Sequence, residues 1–266
     1  PKVKRFLHLD EREAGTWMSV ESFGNRERSA ETRSHILELE SRVKPEDAAC
    51  MIFTSGTTSL PKGILLSHEQ LINNSRAMVE AMHWGASDKM CITVPLFHCF
   101  GITAGVIACI TGGMDMCLIP YFRTAHVWDA IEKYECTILN GVPSMFLALI
   151  RKPQYAQRKA PKLKSGIIAG SPCTPEDFLE ICRRFPHMHL QPSYGQTETS
   201  PCIAIADWDD PNEVKAVSAG HVIGHVETRI MDLDSGALVA DGQDGEIQVR
   251  GYNVIMGYYD LPGAQA

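Results

Sequence analysis

With 25 Lys and Arg against 32 Asp and Glu, the 266-residue chain has a formal net charge of −7, which argues against a general nucleic-acid binder. Its 44% hydrophobic and 21% charged residues are ordinary for a globular protein. They exclude collagen-like, heptad and low-complexity classes and leave one large domain or about two smaller ones.

The N-terminal stretch PKVKRFLHLDERE lacks the apolar core of a signal peptide. Residues 1–50 carry 9 basic and 10 acidic side chains, so this segment has little apolar area with which to build a core. From Ala48 the pattern changes. AACMIFT predicts a buried strand entering a Ser/Thr/Gly-rich loop, and GILLS a second strand. Ser67 followed by Gln70 is a capping-box signature. The helix it opens runs to about Met82, with Leu71, Ser75, Met78 and Met82 along one stripe. KMCITVPL and MDMCLIP predict strands on either side of the longest apolar run, Phe100 to Met114. That run is shorter than the ~20 residues of a membrane-spanning helix and rich in glycine, so it predicts a buried core segment.

Thr124 is expected to cap a helix through Tyr134, CTILN to form a strand, and Pro143 to open a helix to Arg151. SGIIAG predicts a buried strand, Thr174-Pro175-Glu176-Asp177 a helix start, and MHLQPSYG another strand. Strands alternating with helices argue βαβ units and a mainly parallel sheet. Past about Gly220 the helix signals stop. ETRIMDL and GEIQVRG alternate on a two-residue period and predict an antiparallel hairpin. The fold class expected is α/β, a mainly parallel sheet with flanking helices, followed by a small antiparallel β subdomain. The nine cysteines contain no C-x-x-C pair and read as reduced core thiols. Together with the missing leader and spanning segment, they predict a cytoplasmic or other intracellular location.

Thr54 to Gly63, TSGTTSLPKG, is the most informative stretch. Hydroxyls, backbone N–H groups and one ammonium after a strand complement a polyphosphate. It is not a Walker A loop, because Lys62 is preceded by Pro61 and followed by Gly63. No G-x-S-x-G hydrolase signature is present. His221-Val-Ile-Gly-His225 and His187-Met-His189 have no carboxylate or Cys partners at a recognised spacing and read as turn or strand-surface residues rather than metal ligands.

TSGTTSLPKG closely resembles the phosphate-binding signature of the adenylate-forming superfamily, which includes acyl-CoA synthetases, luciferases and peptide-synthetase adenylation domains. In order after it, SYGQTE (193–198) and GEIQVRGYNVIMGYY (245–259) resemble that family's second and third signatures. PLFHCFG (95–101) and AGSPCTPE (169–176) resemble segments of its fatty-acyl ligases. Ser59 stands where the family usually has glycine.

The resemblance implies three parts: 1–85, a remnant of a first α/β subdomain with the phosphate loop; 86–215, a second with acyl and adenine pockets; and 216–266, a truncated β-barrel-like subdomain. It implies ATP, Mg²⁺ and coenzyme A as cofactor and co-substrates. Thr54, Ser55, Gly56, Thr57, Thr58, Ser59 and Lys62 are expected to grip the phosphates, and Glu198 to hold Mg²⁺. Gly170, Ser171, Pro172, Tyr194, Gly195 and Gln196 are expected to frame the nucleotide, and Thr197 to reach the α-phosphate or the reacting carboxylate. Phe97, His98, Phe100 and Gly101 are expected to line the acyl pocket. Lys62, Thr197 and Glu198 are the expected catalytic set.

The implied reaction is ATP-dependent activation of a carboxylic acid, of medium or long chain, followed by transfer to coenzyme A. The family's ribose-binding aspartate and mobile C-terminal domain have no counterpart before Ala266, so the chain is expected to be a central fragment, inactive alone. Surface exposed by such truncation could support homo-oligomers or other association. Two alternatives stand beside this: a ligase that passes the acyl group to a carrier protein, and a non-catalytic binding module.

Overall fold

The computed structural model describes residues 30–54 and 61–261, together with the backbone of two short strands, β1 (Phe6–His8) and β2 (Trp17–Ser19). The chain falls into two compact units, Pro1–Lys44 and Pro45–Ala266. In the first, β1 and β2 pair in parallel, and α1 (Ala30–Glu40) buries none of its residues.

The second unit is organised around seven strands. Four βα steps supply β5 (Lys89–Ile92), β6 (Asp115–Leu118), β7 (Ile138–Asn140), β8 (Ser165–Ile168) and β9 (His189–Gly195), all paired in parallel in the order β9-β8-β7-β5-β6. β10 (Cys202–Ile205) turns back antiparallel on β9, and β11 (His221–Val222) on β10. β7 and β8 are buried along their whole length, as parallel strands covered on both faces must be.

Two layers of helix provide the cover. On one face lie α2 (His68–Ala81) and a helical run formed by α3 (Cys99–Gly101), a π-helical stretch (Ile102–Ile107) and α4 (Ala108–Gly112). Their Met78, Met82, Phe100, Ala104 and Cys109 pack with Met90, Ile92, Ile138 and Ile167 of the sheet. On the other face lie α5 (Thr124–Lys133), α6 (Pro143–Ile150) and α7 (Pro175–Arg184). Trp128, Phe146 and Phe178 are their largest fully buried side chains. Burial at this scale contributes roughly 2–3 kcal/mol for each large side chain. A short α8 (Asn212–Lys215) leads into β11.

The local signals explain most of these ends. Ser67 and Gln70 close a capping box at the start of α2, and the predicted stripe from Leu71 to Met82 is buried. Thr174 accepts from Asp177 N at the start of α7, with Pro175 as its first residue. Thr124 departs from its expected role: it is the first residue of α5, and Arg123 occupies the cap without a side-chain bond. The Phe100–Met114 segment is in the core as expected, apart from exposed residues such as Ile110. Buried Asn140 ties the π-helical stretch to the sheet, donating to Ala104 O at 3.0 Å and accepting from Ile167 N at 2.9 Å.

A separate three-stranded antiparallel sheet contains β3 (Ala48–Thr54), β4 (Lys62–Ser67) and β14 (Gly257–Tyr258), in the order β14-β4-β3. β4 is its centre. β3 was expected to be buried, yet only Ile52 is; an edge strand packs on one side and faces solvent on the other. The hairpin of β12 (Val226–Met231) and β13 (Glu246–Gly251) has the expected antiparallel register. All nine cysteines are free thiols. Among the described residues, no helix is long and apolar enough to cross a membrane.

Candidate active site

Open parallel sheets collect ligands beyond the carboxyl ends of their strands. Here β8 runs out into Ala169-Gly170-Ser171-Pro172, and β9 runs out into Gly195-Gln196. The chain then makes one short helical turn, Thr197–Thr199, before returning as β10. The return is tight. Gln196 N donates to Pro201 O at 3.0 Å, and a Cβ placed on Gly195 would lie 1.7 Å from that same oxygen. Only glycine fits there.

Two hollows meet at these strand ends. A cavity of about 230 Å³ runs inward between Met78, Phe100, Ala104 and Ile167, with His98, Cys99, Thr197 and Glu198 at its polar end. A wider cleft of about 720 Å³ opens on the other side, between Gly170, Ser171, Pro172 and Tyr194 on one wall and Ala216 to Ala219 on the other. Ala169, Gly170, Ser193 and Gly195 line both.

The polar end is held by short links. His98 precedes α3, and its Nδ1 accepts from Phe100 N at 3.2 Å, which leaves the proton of the neutral ring on Nε2. Burial lowers its pKa, so the neutral form is favoured. Cys99 Sγ lies 3.5 Å from Thr197 Oγ1 and 3.6 Å from His98 Nδ1; burial pushes the thiol up, so it remains protonated rather than an active nucleophile. Thr197 is buried and Glu198 half-buried.

The third signature wraps this turn. Ser200 Oγ donates to Asn253 O at 2.7 Å, Asn253 Nδ2 to Cys202 O at 3.1 Å, and Ile255 N to Glu198 O at 3.1 Å. Asn74 of α2 clamps the same strand from behind, donating to Cys202 O and accepting from Cys202 N. Tyr258 completes the wrap: its hydroxyl donates to Glu198 Oε1 at 3.2 Å, and Lys62 Nζ lies 5.2 Å from the centre of its ring. Burial, and then Glu198, raise the Tyr258 pKa, so the phenol keeps its proton.

Of the residues singled out in the sequence, Gly170, Tyr194, Gly195, Gln196, Thr197, Glu198, His98 and Phe100 converge on the two hollows, and Ser171 and Pro172 line the cleft. Thr54 and Lys62 stand at the facing ends of β3 and β4, paired in register. Ser55, Gly56, Thr57, Thr58 and Ser59 lie outside the described residues. Two of the residues expected at the acyl pocket are not among the described residues lining this cavity. Phe97 is 83% exposed and does not line the cavity. Gly101 is a packing glycine, whose Cβ would lie 2.1 Å from Pro95 O.

Sequence reasoning missed Tyr258, Cys99 and Met78 as site residues, although each belongs to a segment it had marked. It also left His221 without acidic neighbours. The β10–β11 return brings Asp207 and Asp210 to it, with ligand atoms within 4.8 Å of one another, at the surface and away from the cavity.

The sequence profile of the AMP-binding enzyme family matches residues 2–259. The chain belongs to that family. It is 36% identical over 236 residues to the acyl-CoA ligase sidI of Beauveria bassiana, covering 87% of this chain and 41% of that protein. It is 34% identical over 239 residues to the human mitochondrial medium-chain acyl-CoA ligase ACSF2, covering 87% of this chain and 39% of that protein. The chain thus spans about two fifths of the length of these relatives. Among solved structures, apo MatB of Rhodopseudomonas palustris superposes with a TM-score of 0.75 at 25% identity, over 83% of this chain and 42% of that one. The N-terminal domain of FACL13 from Mycobacterium tuberculosis shares the fold, with a TM-score of 0.77 over 94% of this chain and 60% of that one. The α/β fold and the adenylate-forming family implied by the three signatures therefore both hold.

Proposed function

We propose that the chain supplies the acid- and nucleotide-binding surfaces of an acid–thiol ligase. In this reading ATP activates a medium- or long-chain carboxylic acid as its acyl-adenylate, and coenzyme A receives the acyl group. One observation carries the reading: a largely apolar cavity and a wider cleft share the wall Ala169, Gly170, Ser193 and Gly195, with Thr197 and Glu198 at the polar end of the cavity. An acyl-adenylate has the same three parts, an apolar tail, a mixed anhydride and a nucleoside.

In the first half-reaction a carboxylate oxygen attacks the α-phosphorus and pyrophosphate leaves. Two anions must approach, so the site needs oriented donors and positive charge. The neutral His98 offers Nε2–H without repelling Lys62, and Thr197 offers a hydroxyl whose position Cys99 helps to fix. Lys62, at the start of β4, supplies the ammonium for the departing phosphates. Tyr194, 40% exposed, presents a ring for the adenine.

The donor set also fits a hard divalent cation. Glu198 commits Oε1 to Tyr258, and its second oxygen retains lone pairs; one carboxylate plus substrate phosphates is a common Mg²⁺ arrangement. Mg²⁺ bound there would neutralise phosphate charge. Among the described residues, Glu198 is the one charged side chain lining the cavity, which favours an uncharged tail over a second carboxylate or an amine.

Acid-dependent exchange of labelled pyrophosphate into ATP, run on the intact protein that carries this chain with acids of graded length, tests the reading. Exchange that rises with an apolar monocarboxylic acid and yields a coenzyme A thioester is expected. Exchange absent with every acid, or driven only by amino acids, overturns it. By the same reading, residues 1–266 alone turn over at a negligible rate.

A further inference from the structure

The three signatures lie far apart in the chain, and one side chain touches the other two. β14 is only two residues long, yet it is held on β4 by Met256 N donating to Leu65 O and Tyr259 N donating to Gly63 O at 2.7 Å. Gly257 makes the turn into it at φ 142°, a conformation that L residues rarely adopt. The result aims Tyr258 across the end of β4. Its ring faces the ammonium of Lys62, and its hydroxyl reaches the carboxylate of Glu198.

We propose that Tyr258 is a positioning residue, coupling the lysine of the phosphate loop to the carboxylate of the second signature so that both meet one metal–nucleotide complex. The proposal rests on the nucleotide-binding part of the function above. A carboxylate on a three-bond side chain otherwise samples several rotamers, and each must be lost when a cation binds. A phenol fixed by β14 holds Glu198 in one of them beforehand, which is how preorganisation raises affinity. The phenol donates to Oε1 and leaves Oε2 for the cation. The ring steadies Lys62 without neutralising it.

Calorimetric titration of the intact protein with Mn²⁺ and a non-hydrolysable ATP analogue separates positioning from packing. Tyr258→Phe retains the ring and removes the hydroxyl. It should weaken the Mn²⁺–nucleotide complex about tenfold, and the metal-free analogue by much less. In a Glu198→Gln background the same substitution should have almost no effect, because its route to the metal is gone. Tyr258→Leu should also weaken the metal-free analogue, through Lys62.

If Tyr258→Phe costs as much in the Glu198→Gln background as in the native protein, the coupling is overturned. Unchanged Mn²⁺–nucleotide affinity in Tyr258→Phe overturns it too. A wild-type protein that binds no Mn²⁺–nucleotide overturns this inference and the functional reading together. Tight, Tyr258-dependent binding with no acid-dependent pyrophosphate exchange overturns only the functional reading.

Discussion

The cavity that reaches down to Met78 and the cleft beside Tyr194 lie on either side of the same two strand ends, yet they are made of different material. The cavity is lined by side chains from α2, the π-helical stretch and β8, and most of its lining is apolar. The cleft is framed largely by loop segments, 169–173 and 216–219. A hollow lined by side chains selects by shape, so substitutions can retune it. A hollow framed by loops selects through peptide N–H and C=O groups that most substitutions leave in place. The acid should therefore be the changeable partner and the nucleotide the constant one.

The largest expected effect falls where the two hollows touch. Gly195→Ala drives a methyl into Pro201 O, so β9 or β10 must move. Chemical denaturation should show a loss of about 3 kcal/mol or more, and ligands of both hollows should be lost together. A variant of native stability that loses only one would show that the wall is not shared in the sense described.

Met78→Ala comes next. Met78 is 1% exposed and lines the cavity; its truncation should cost about 2–3 kcal/mol and, by enlarging the cavity, shift acid preference toward longer chains. Nucleotide affinity should not change, and a change would blur the distinction between the two hollows.

A smaller, pH-dependent effect belongs to His98. Burial lowers its pKa below the ordinary 6.5, so as pH falls past that value the unfolded chain takes up a proton that the folded protein resists. Stability contributed by the neutral ring is fully present above pH 6.5 and declines below it until the folded group also protonates. His98→Asn should flatten acid unfolding in that window by the linkage of at most about one proton. An identical slope in the two proteins would place His98 in water rather than at the cavity mouth.

The smallest effect serves as a reference for surface substitutions. Arg158 bridges Asp129 and Glu132 of α5 at 2.9 and 2.6 Å; it is half-buried beside the Trp128 ring and lines neither hollow. Arg158→Ala should cost about 0.5 kcal/mol, with acid preference and nucleotide affinity unchanged.

What could be read from the residues followed the range of the forces involved. Ser67 with Gln70, and Thr174 with Pro175, act over one helical turn, so their pattern is visible in sequence and their helices start where expected. The alternation of apolar strands and helices gave the parallel sheet for the same reason. The four-residue β10, CIAI, went unnoticed because it has too few residues to show a period and follows a signature directly. The exposure of β3 depends on which strands flank it, a property of the assembled sheet.

The site divides in the same way. Gly195 and Glu198 were legible because they sit in compact signatures. Tyr258 was not, since its role arises from pairing with β4 almost two hundred residues earlier. Phe97 and His98 adjoin in sequence, but only His98 turns its side chain to the backbone of α3 and lines the cavity; Phe97 faces solvent.

The π-helical stretch from Ile102 to Ile107 has a consequence for how such a cavity can change. Its i→i+5 closure accommodates one residue more than an α-helical path between the same two ends. Deleting a single residue there would let the helix close normally between those ends, so that both flanks keep their faces and only the stretch itself is rebuilt. Ala104 would leave the cavity wall, and its carbonyl would leave Asn140. A one-codon deletion could thus redraw the chamber while every strand of the sheet stayed in register, so insertions and deletions join substitutions as a route to new specificity.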